Sequence, residues 1–210
     1  MDETLVNLKT MQSFLNHYFG SDAGIRPWDR FQQGLGTTPR ADGNRRYYRL
    51  WKDESLADVE AAGRAWFARV RHQPDFYVEE TLRRLEAHRR CGDLVFLISG
   101  SFHPCLAPLA SALKVDGVYG TILQVSDGRL TGEVLVSRIG EGKRDAFTQA
   151  VSEHFIDPRR TWAYGDHPSD APLLSSARRP YVVRPDATMR DMARQHGWPT
   201  LTFCNDLEER

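Results

Sequence analysis

Five consecutive apolar residues, Leu94-Val95-Phe96-Leu97-Ile98, constrain this chain most, because a run so short and unbroken has no face to give to water. It predicts a buried parallel strand, which needs covering layers on both faces and so an α/β architecture. Cys91-Gly92-Asp93 leads into the run and Ser99-Gly100-Ser101 leaves it. A small hydroxyl residue followed by glycine at such a strand end offers a hydroxyl and open backbone N–H groups to a phosphoryl oxygen. Taken alone, Ser-Gly-Ser is also ordinary turn chemistry.

A second strand end carries acid. Thr161-Trp162-Ala163-Tyr164 breaks into Gly165-Asp166-His167-Pro168-Ser169-Asp170, which reads as strand, acidic loop and helix. Asp166 and Asp170, four positions apart, can face one small volume above the carboxyl edge of a parallel sheet. Hard oxygen ligands there suit Mg²⁺, which takes one or two protein carboxylates and shares its other sites with water and substrate phosphate. The plainer alternative is that Ser169 or Asp170 caps a helix over residues 171–177. Lys143 heads an amphipathic helix in which Ala146, Phe147, Ala150, Val151 and Phe155 share a face. It could neutralise charge between a carboxylate and a phosphate, although most lysines at helix starts are simply solvated. A nucleotide P-loop is excluded, since Ser137 stands where that motif needs glycine and Arg144 where it needs Ser or Thr.

The remaining chain divides in two. Leu5, Leu8, Met11, Leu15 and Tyr18 recur at helical spacing up to Gly20, and a polar, glycine-bearing stretch follows from Ser21 to Asn44. Helices are predicted around Leu56, Val59, Trp66 and Val70, with Ser55 and Asp58 at the start, and around Val78, Leu82 and Leu85. After these the chain alternates strand and helix, interrupted by a hairpin from Gly117 to Val136 that turns at Asp127-Gly128. Residues 1–8 and 92–210 are therefore expected to form the core, with 9–91 as a helical insertion.

Lys+Arg and Asp+Glu both number 28, so no net charge recommends nucleic acid or an anionic membrane as partner. Cys91, Cys105 and Cys204 are scattered singly, which argues against a zinc site or a disulfide framework and makes the cytoplasm the expected compartment. No run approaches the length of a membrane span, and the first residues lack a signal-peptide pattern.

In chain order the chemical pieces are Met1-Asp2-Glu3-Thr4, a strand ending in Ser99-Gly100, Lys143, and Gly165-Asp166 with Asp170. This order resembles the haloacid dehalogenase superfamily, and within it the phosphoserine phosphatase-like branch, whose motifs are DxDxT, a strand-end Ser or Thr, a Lys, and GDxxxD. The likeness covers nearly all of the chain. It is closest in LISGSF (97–102), GEGKRDAF (140–147), AYGDHPSDAPLL (163–174) and VVRPDATMRDMARQHGWP (182–199).

The resemblance implies a Rossmann-like parallel sheet with a helical cap, and a Mg²⁺-dependent phosphatase that acts on a small-molecule phosphomonoester through an aspartyl-phosphate. It assigns Asp2 as general acid and base and as one carboxylate of the metal site. Asp166 becomes a direct metal ligand, Asp170 a direct or water-mediated one, Ser99 with the Gly100 amide the phosphate cradle, and Lys143 the charge clamp. Asp2-Glu3-Thr4 matches only the back half of DxDxT. The expectation is a chain cut short, with the nucleophile just ahead of Met1 and the central first strand missing; a descendant that has lost its nucleophile and serves as a binding or regulatory protein is the competitor.

A phosphotransferase would share every one of these residues, whereas a dehalogenase suits the magnesium-type carboxylates less well. Within the cap, Lys9, Arg45, Arg46 and Arg49, with Tyr47 and Tyr48 among them, are candidates to grip a substrate carboxylate or second phosphate, against the plainer reading that they face solvent. His103 and His167 flank the two strand-end loops. A Ser-His hydrolase built on Ser99 or Ser101 with His103 is disfavoured, because the GxSxG elbow is absent and no ordered acid partner is implied.

Overall fold

A computed structural model describes residues 1–20 and 25–202. Cys204 and part of the Ser21 to Asn44 stretch lie outside the described residues. Strand β1 (Phe96–Phe102) pairs in parallel with β2 (Gly117–Ser126), which pairs antiparallel with β3 (Arg129–Val136). Asp127 and Gly128 turn this hairpin at φ 50° and 75°, the left-handed conformations that a tight two-residue turn requires. Strands β4 (Trp162–Gly165) and β5 (Arg179–Val182) form a second, parallel pair. The fold is the expected α/β type.

β1 runs on past Ile98 through Ser99-Gly100-Ser101 to Phe102, with a register shift between Ile98 and Phe102. Ser-Gly-Ser is thus an irregular strand end and not a separate turn. The sheet itself is split. No hydrogen-bonded ladder joins β1 to β4 among the described residues, and a cavity of about 440 Å³ separates them. Each of these two strands thus keeps one edge without a partner strand among the described residues.

Helix α1 (Thr10–Phe19) starts later than the periodicity suggests. Leu5 lies in a tight turn before it, and Gly20 ends it at φ 68°. The supposed polar stretch holds two further helices, α2 (Pro27–Gln33) and α3 (Arg40–Arg49). Composition hid α3, because its buried positions Asn44, Tyr47 and Tyr48 fall at i, i+3 and i+4 but open on a polar residue. Helix α4 (Leu56–Val70) begins as expected, with Ser55 Oγ accepting from the Asp58 amide, and α5 (Glu79–Arg90) follows. A Cβ on Gly63 would lie 2.2 Å from the Pro104 carbonyl oxygen, so α4 meets the start of α6 (His103–Leu113) backbone against backbone.

Phe14, Trp51, Trp66 and Tyr48 from the first half pack in one cluster with Leu97, Phe102, Cys105 and Leu109 from the second. One apolar core therefore runs through both regions. Helix α7 (Glu141–Glu153) stops short of Phe155, which is 95% exposed and does not share the buried face of Ala146 and Ala150. Phe155 adopts φ 53°, outside helical geometry. The chain continues through α8 (Ala171–Ser176) and α9 (Ala187–His196). No described helix is long and apolar enough to cross a membrane.

Candidate active site

Three loops meet at the carboxyl ends of β1 and β4. The first is the N-terminal turn, closed by Leu5 N donating to Met1 O (2.8 Å) and Thr4 N to Asp2 O (2.6 Å). It presents the Asp2 carboxylate to the start of α1, where Oδ2 accepts from Thr10 N (2.9 Å) and Oδ1 from Thr10 Oγ1 (2.8 Å). A carboxylate there also faces the positive end of the helix. Thr10 Oγ1 lies 3.0 Å from Ser101 Oγ, and Ser101 N donates to Ser99 Oγ (3.1 Å). A polar chain thus links Asp2 to Ser99.

The second loop is the end of β1. The Gly100 carbonyl accepts from Tyr48 Oη (2.7 Å), Thr121 Oγ1 (2.9 Å) and Asn44 Nδ2 (3.2 Å), so α3 and β2 together fix this peptide's orientation. A Cβ on Gly100 would fall 2.3 Å from Ile139 Cδ1.

The third loop follows β4. Asp170 Oδ2 accepts from the amides of Asp166 (3.1 Å) and His167 (3.2 Å), and its Oδ1 accepts from Lys143 Nζ. Both members of that ion pair are buried, at 7% exposure for Lys143 and 3% for Asp170. Lys143 is therefore not a solvated helix-start lysine. Two glycines make the approach possible: a Cβ on Gly165 would lie 2.7 Å from Asp170 Cβ, and one on Gly142 would lie 2.0 Å from the Ser137 carbonyl oxygen. Thr4 Oγ1 donates to Asp166 Oδ1 and ties the first loop to the third.

The electrostatics follow from this crowding. Burial pushes the Asp2 carboxyl above the usual carboxylate range, against the pull of the Met1 amine and the two Thr10 bonds. Burial also works to raise Asp170, but the Lys143 ammonium, the Met1 amine and its hydrogen bonds outweigh it and hold that carboxyl low. Burial, with the Lys143 charge beside it, lowers the Met1 α-amine despite the opposing fields of Asp170, Asp2 and Asp166. His167 is held below the usual imidazole range by burial and then by Arg40.

Asp2, Lys143, Asp166 and Asp170 thus lie within reach of one another's charges, and Thr10 and Ser101 connect Asp2 to Ser99. Their carboxylates do not close into a cage: among the described residues no three His, Cys, Asp or Glu side chains gather as a preformed metal cluster. Ser169 and Asp170 do not act as simple caps of the following helix. His167 Nδ1 accepts from Ser169 N (3.0 Å), and Asp170 turns back to the loop amides and Lys143.

The basic side chains follow the solvent-facing reading. Lys9, Arg45, Arg46 and Arg49 are exposed; Arg45 pairs with Asp42 (3.6 Å) and Arg46 donates to Gly34 O (3.1 Å). Tyr47 and Tyr48 are buried with their hydroxyls on Met11 O and Gly100 O. His103 lies in a separate groove with Glu60, Arg64 and Phe67, not in this site. Residues to which sequence reasoning gave no part in this site are Thr10, Ser101 and Asn44, and the Thr4–Asp166 contact was not foreseen; these contacts span separations that no local pattern records.

Over 126 residues the chain is 33% identical to a probable phosphatase of Mycobacterium tuberculosis, covering 60% of this chain and 44% of that one. Over 167 residues it is 29% identical to phosphoserine phosphatase SerB1 of the same organism, covering 78% and 53%. The chain thus spans about half the length of these curated relatives. A solved Bordetella pertussis protein of unknown function has the same fold, at TM-score 0.82 and 22% identity over 97% of this chain and 96% of that one. The family profile matches residues 1–175, well over half of the sequence, and the chain belongs to the haloacid dehalogenase-like hydrolases.

Proposed function

We propose that this protein is a cytoplasmic, Mg²⁺-dependent phosphatase of small-molecule phosphomonoesters that works through an aspartyl-phosphate. One observation carries the reading: Lys143 is buried on Asp170, with the charges of Asp2 and Asp166 close by. A buried ammonium among carboxylates, beside hydroxyl and amide donors, is suited to a phosphoryl group that gains charge as it transfers.

In this reading Ser99 Oγ and the Gly100 amide receive phosphoryl oxygens, and Lys143 offsets charge between phosphate and nucleophile. The attacking carboxylate of the DxDxT pattern would stand two positions before Asp2, outside residues 1–210. Its oxygen bonds to phosphorus as the ester P–O bond breaks, and Asp2 delivers its proton to the departing oxygen. Asp2 then takes a proton from the water that releases phosphate. A carboxyl raised by burial is suited to hold that proton near neutral pH.

The donor set fits a hard cation. Asp166 has one side-chain partner, Thr4, whereas both Asp170 oxygens are engaged. Asp166 would therefore be the carboxylate freest to hold the cation directly, with Asp2, whose oxygens accept from Thr10, and Asp170 completing the set directly or through water. Bound Mg²⁺ supplies charge neutralisation for the phosphoryl oxygens. Residues 9–91 form the cap over a core of 1–8 and 92–210. The free thiols of Cys91 and Cys105 are compatible with a reducing compartment.

The test is phosphate release from a panel of phosphomonoesters, with Mg²⁺ and with EDTA, for residues 1–210 and for the chain extended upstream to a DxDxT loop. The expected result is Mg²⁺-dependent release by the extended chain alone. Formation of a new phosphoester would make it a phosphotransferase. Phosphate binding without turnover in either chain would establish the non-catalytic binding protein instead.

A further inference from the structure

The Gly100 carbonyl accepts one hydrogen bond more than it has lone pairs. Tyr48 Oη (2.7 Å), Thr121 Oγ1 (2.9 Å) and Asn44 Nδ2 (3.2 Å) all donate to that one oxygen. Each donor is fixed in its direction. Burial pushes the Tyr48 phenol well above its ordinary pKa, so it keeps its proton. Thr121 Oγ1 accepts from the Arg138 amide (3.4 Å), which leaves its own proton for Gly100. The Asn44 NH2 faces the carbonyl because only that end of the side chain can donate, and Asn44 Oδ1 is buried with no hydrogen-bond partner among the described residues. Satisfying a carbonyl requires neither a third donor nor an orphaned acceptor, so the arrangement costs more than packing alone asks.

The other side of the same peptide bears on the phosphate cradle. Gly100 C=O and Ser101 N–H belong to one peptide group, and Ser101 N donates to Ser99 Oγ (3.1 Å). Donors on the oxygen draw electron density from the nitrogen and strengthen its N–H as a donor, a cooperative gain of about 10–30% per bond. Both serines are buried, so bulk water does not compete for the bond. Ser99 Oγ thus accepts from the Ser101 amide, and no group among the described residues takes its proton. That proton is left for a ligand.

We propose that Tyr48 and Asn44 of α3 are positioning residues for Ser99. Acting with Thr121 through the Gly100–Ser101 peptide, they hold the Ser99 hydroxyl as a donor to an incoming phosphoryl oxygen. This rests on the phosphatase reading, in which Ser99 receives phosphate. It gives α3, whose arginines face solvent, a part in the site from its buried side.

The test is a double-mutant cycle on the full-length protein, with inorganic phosphate and Mg²⁺ as the probe and calorimetric titration as the readout. Ser99→Ala should weaken phosphate binding by about tenfold or more, the effect of losing a hydrogen bond to an anion. Tyr48→Phe combined with Asn44→Leu should weaken it by about threefold to tenfold, but by less than about twofold in the Ser99→Ala background. Losses that add in full overturn the proposal, because a merely structural role of α3 would lower affinity whether or not the hydroxyl is present. Far-UV circular dichroism checks the fold of each variant. A second measurement needs no variant: in the unaltered protein, phosphate should move the Ser101 amide proton downfield in a proton–nitrogen correlation spectrum as the Ser99 hydroxyl engages, and an unmoved Ser101 resonance overturns the proposal as well. If the unaltered protein binds no phosphate, the phosphatase reading fails and the proposal falls with it; if it binds phosphate and the losses add, the proposal falls alone.

Discussion

Thr4 Oγ1 donates to Asp166 Oδ1 and so joins two residues 162 positions apart in the chain. The bond holds the N-terminal turn against the acidic loop, and Thr4 itself is buried. Thr4→Val keeps the shape and removes the donor. We expect a loss of about 1–2 kcal/mol in urea unfolding, because the acceptor is charged but only half-buried. An unchanged midpoint would mean that the bond adds nothing net.

The Lys143–Asp170 pair gives a larger effect with a defined pH dependence. Asp170→Asn leaves a buried ammonium without its counter-ion, and a cost of about 3–5 kcal/mol is expected near neutral pH. Because the folded-state pKa of Asp170 lies below the ordinary 3.8, its contribution is present above that value and is lost as pH falls through the folded pKa. The stability gap between wild type and Asp170→Asn should therefore be full above pH 3.8 and narrow below it. A gap that instead widens on acidification contradicts the assignment.

Gly63 tests the contact between α4 and α6. Its missing side chain admits the Pro104 carbonyl, so Gly63→Ala must separate the helices despite alanine's better helix propensity. Chemical denaturation should show destabilisation of about 1–3 kcal/mol, the usual range for overpacking. Stabilisation would show that the backbones are not in close contact.

Mg²⁺ should raise the thermal midpoint of residues 1–210, since a cation that binds only the folded state stabilises it by mass action, about 2.7 kcal/mol at one hundred times its Kd. Asp166→Asn should abolish that shift, and Asp170→Asn should weaken it less. If Asp166→Asn retains the full shift in differential scanning fluorimetry, the ion binds elsewhere.

Much of the chemistry was legible from spacing. Ser99 follows the apolar run inside β1, and Lys143, Asp166 and Asp170 stand at the end of a strand or the start of a helix, where the change from apolar run to glycine and acid is a local signal. The hairpin at Asp127-Gly128 and the start of α4 at Ser55 were legible for the same reason: backbone conformation there is set by a few adjacent residues. Helix α3 escaped because its buried stripe begins with Asn44, and Phe155 misled because an apolar residue in phase with a helix need not lie in it.

By itself the sequence determined the α/β class and the order of the strand-end motifs, since each depends on short-range pattern. Only the tertiary structure decided that Thr4 meets Asp166, that Asn44, Tyr48 and Thr121 hold one carbonyl, and that Lys143 is buried on Asp170. It also decided that the sheet is split around a cavity. These contacts join residues from 21 to 162 positions apart, and their partners are chosen by packing and by satisfying buried polar groups, which no local window of sequence contains.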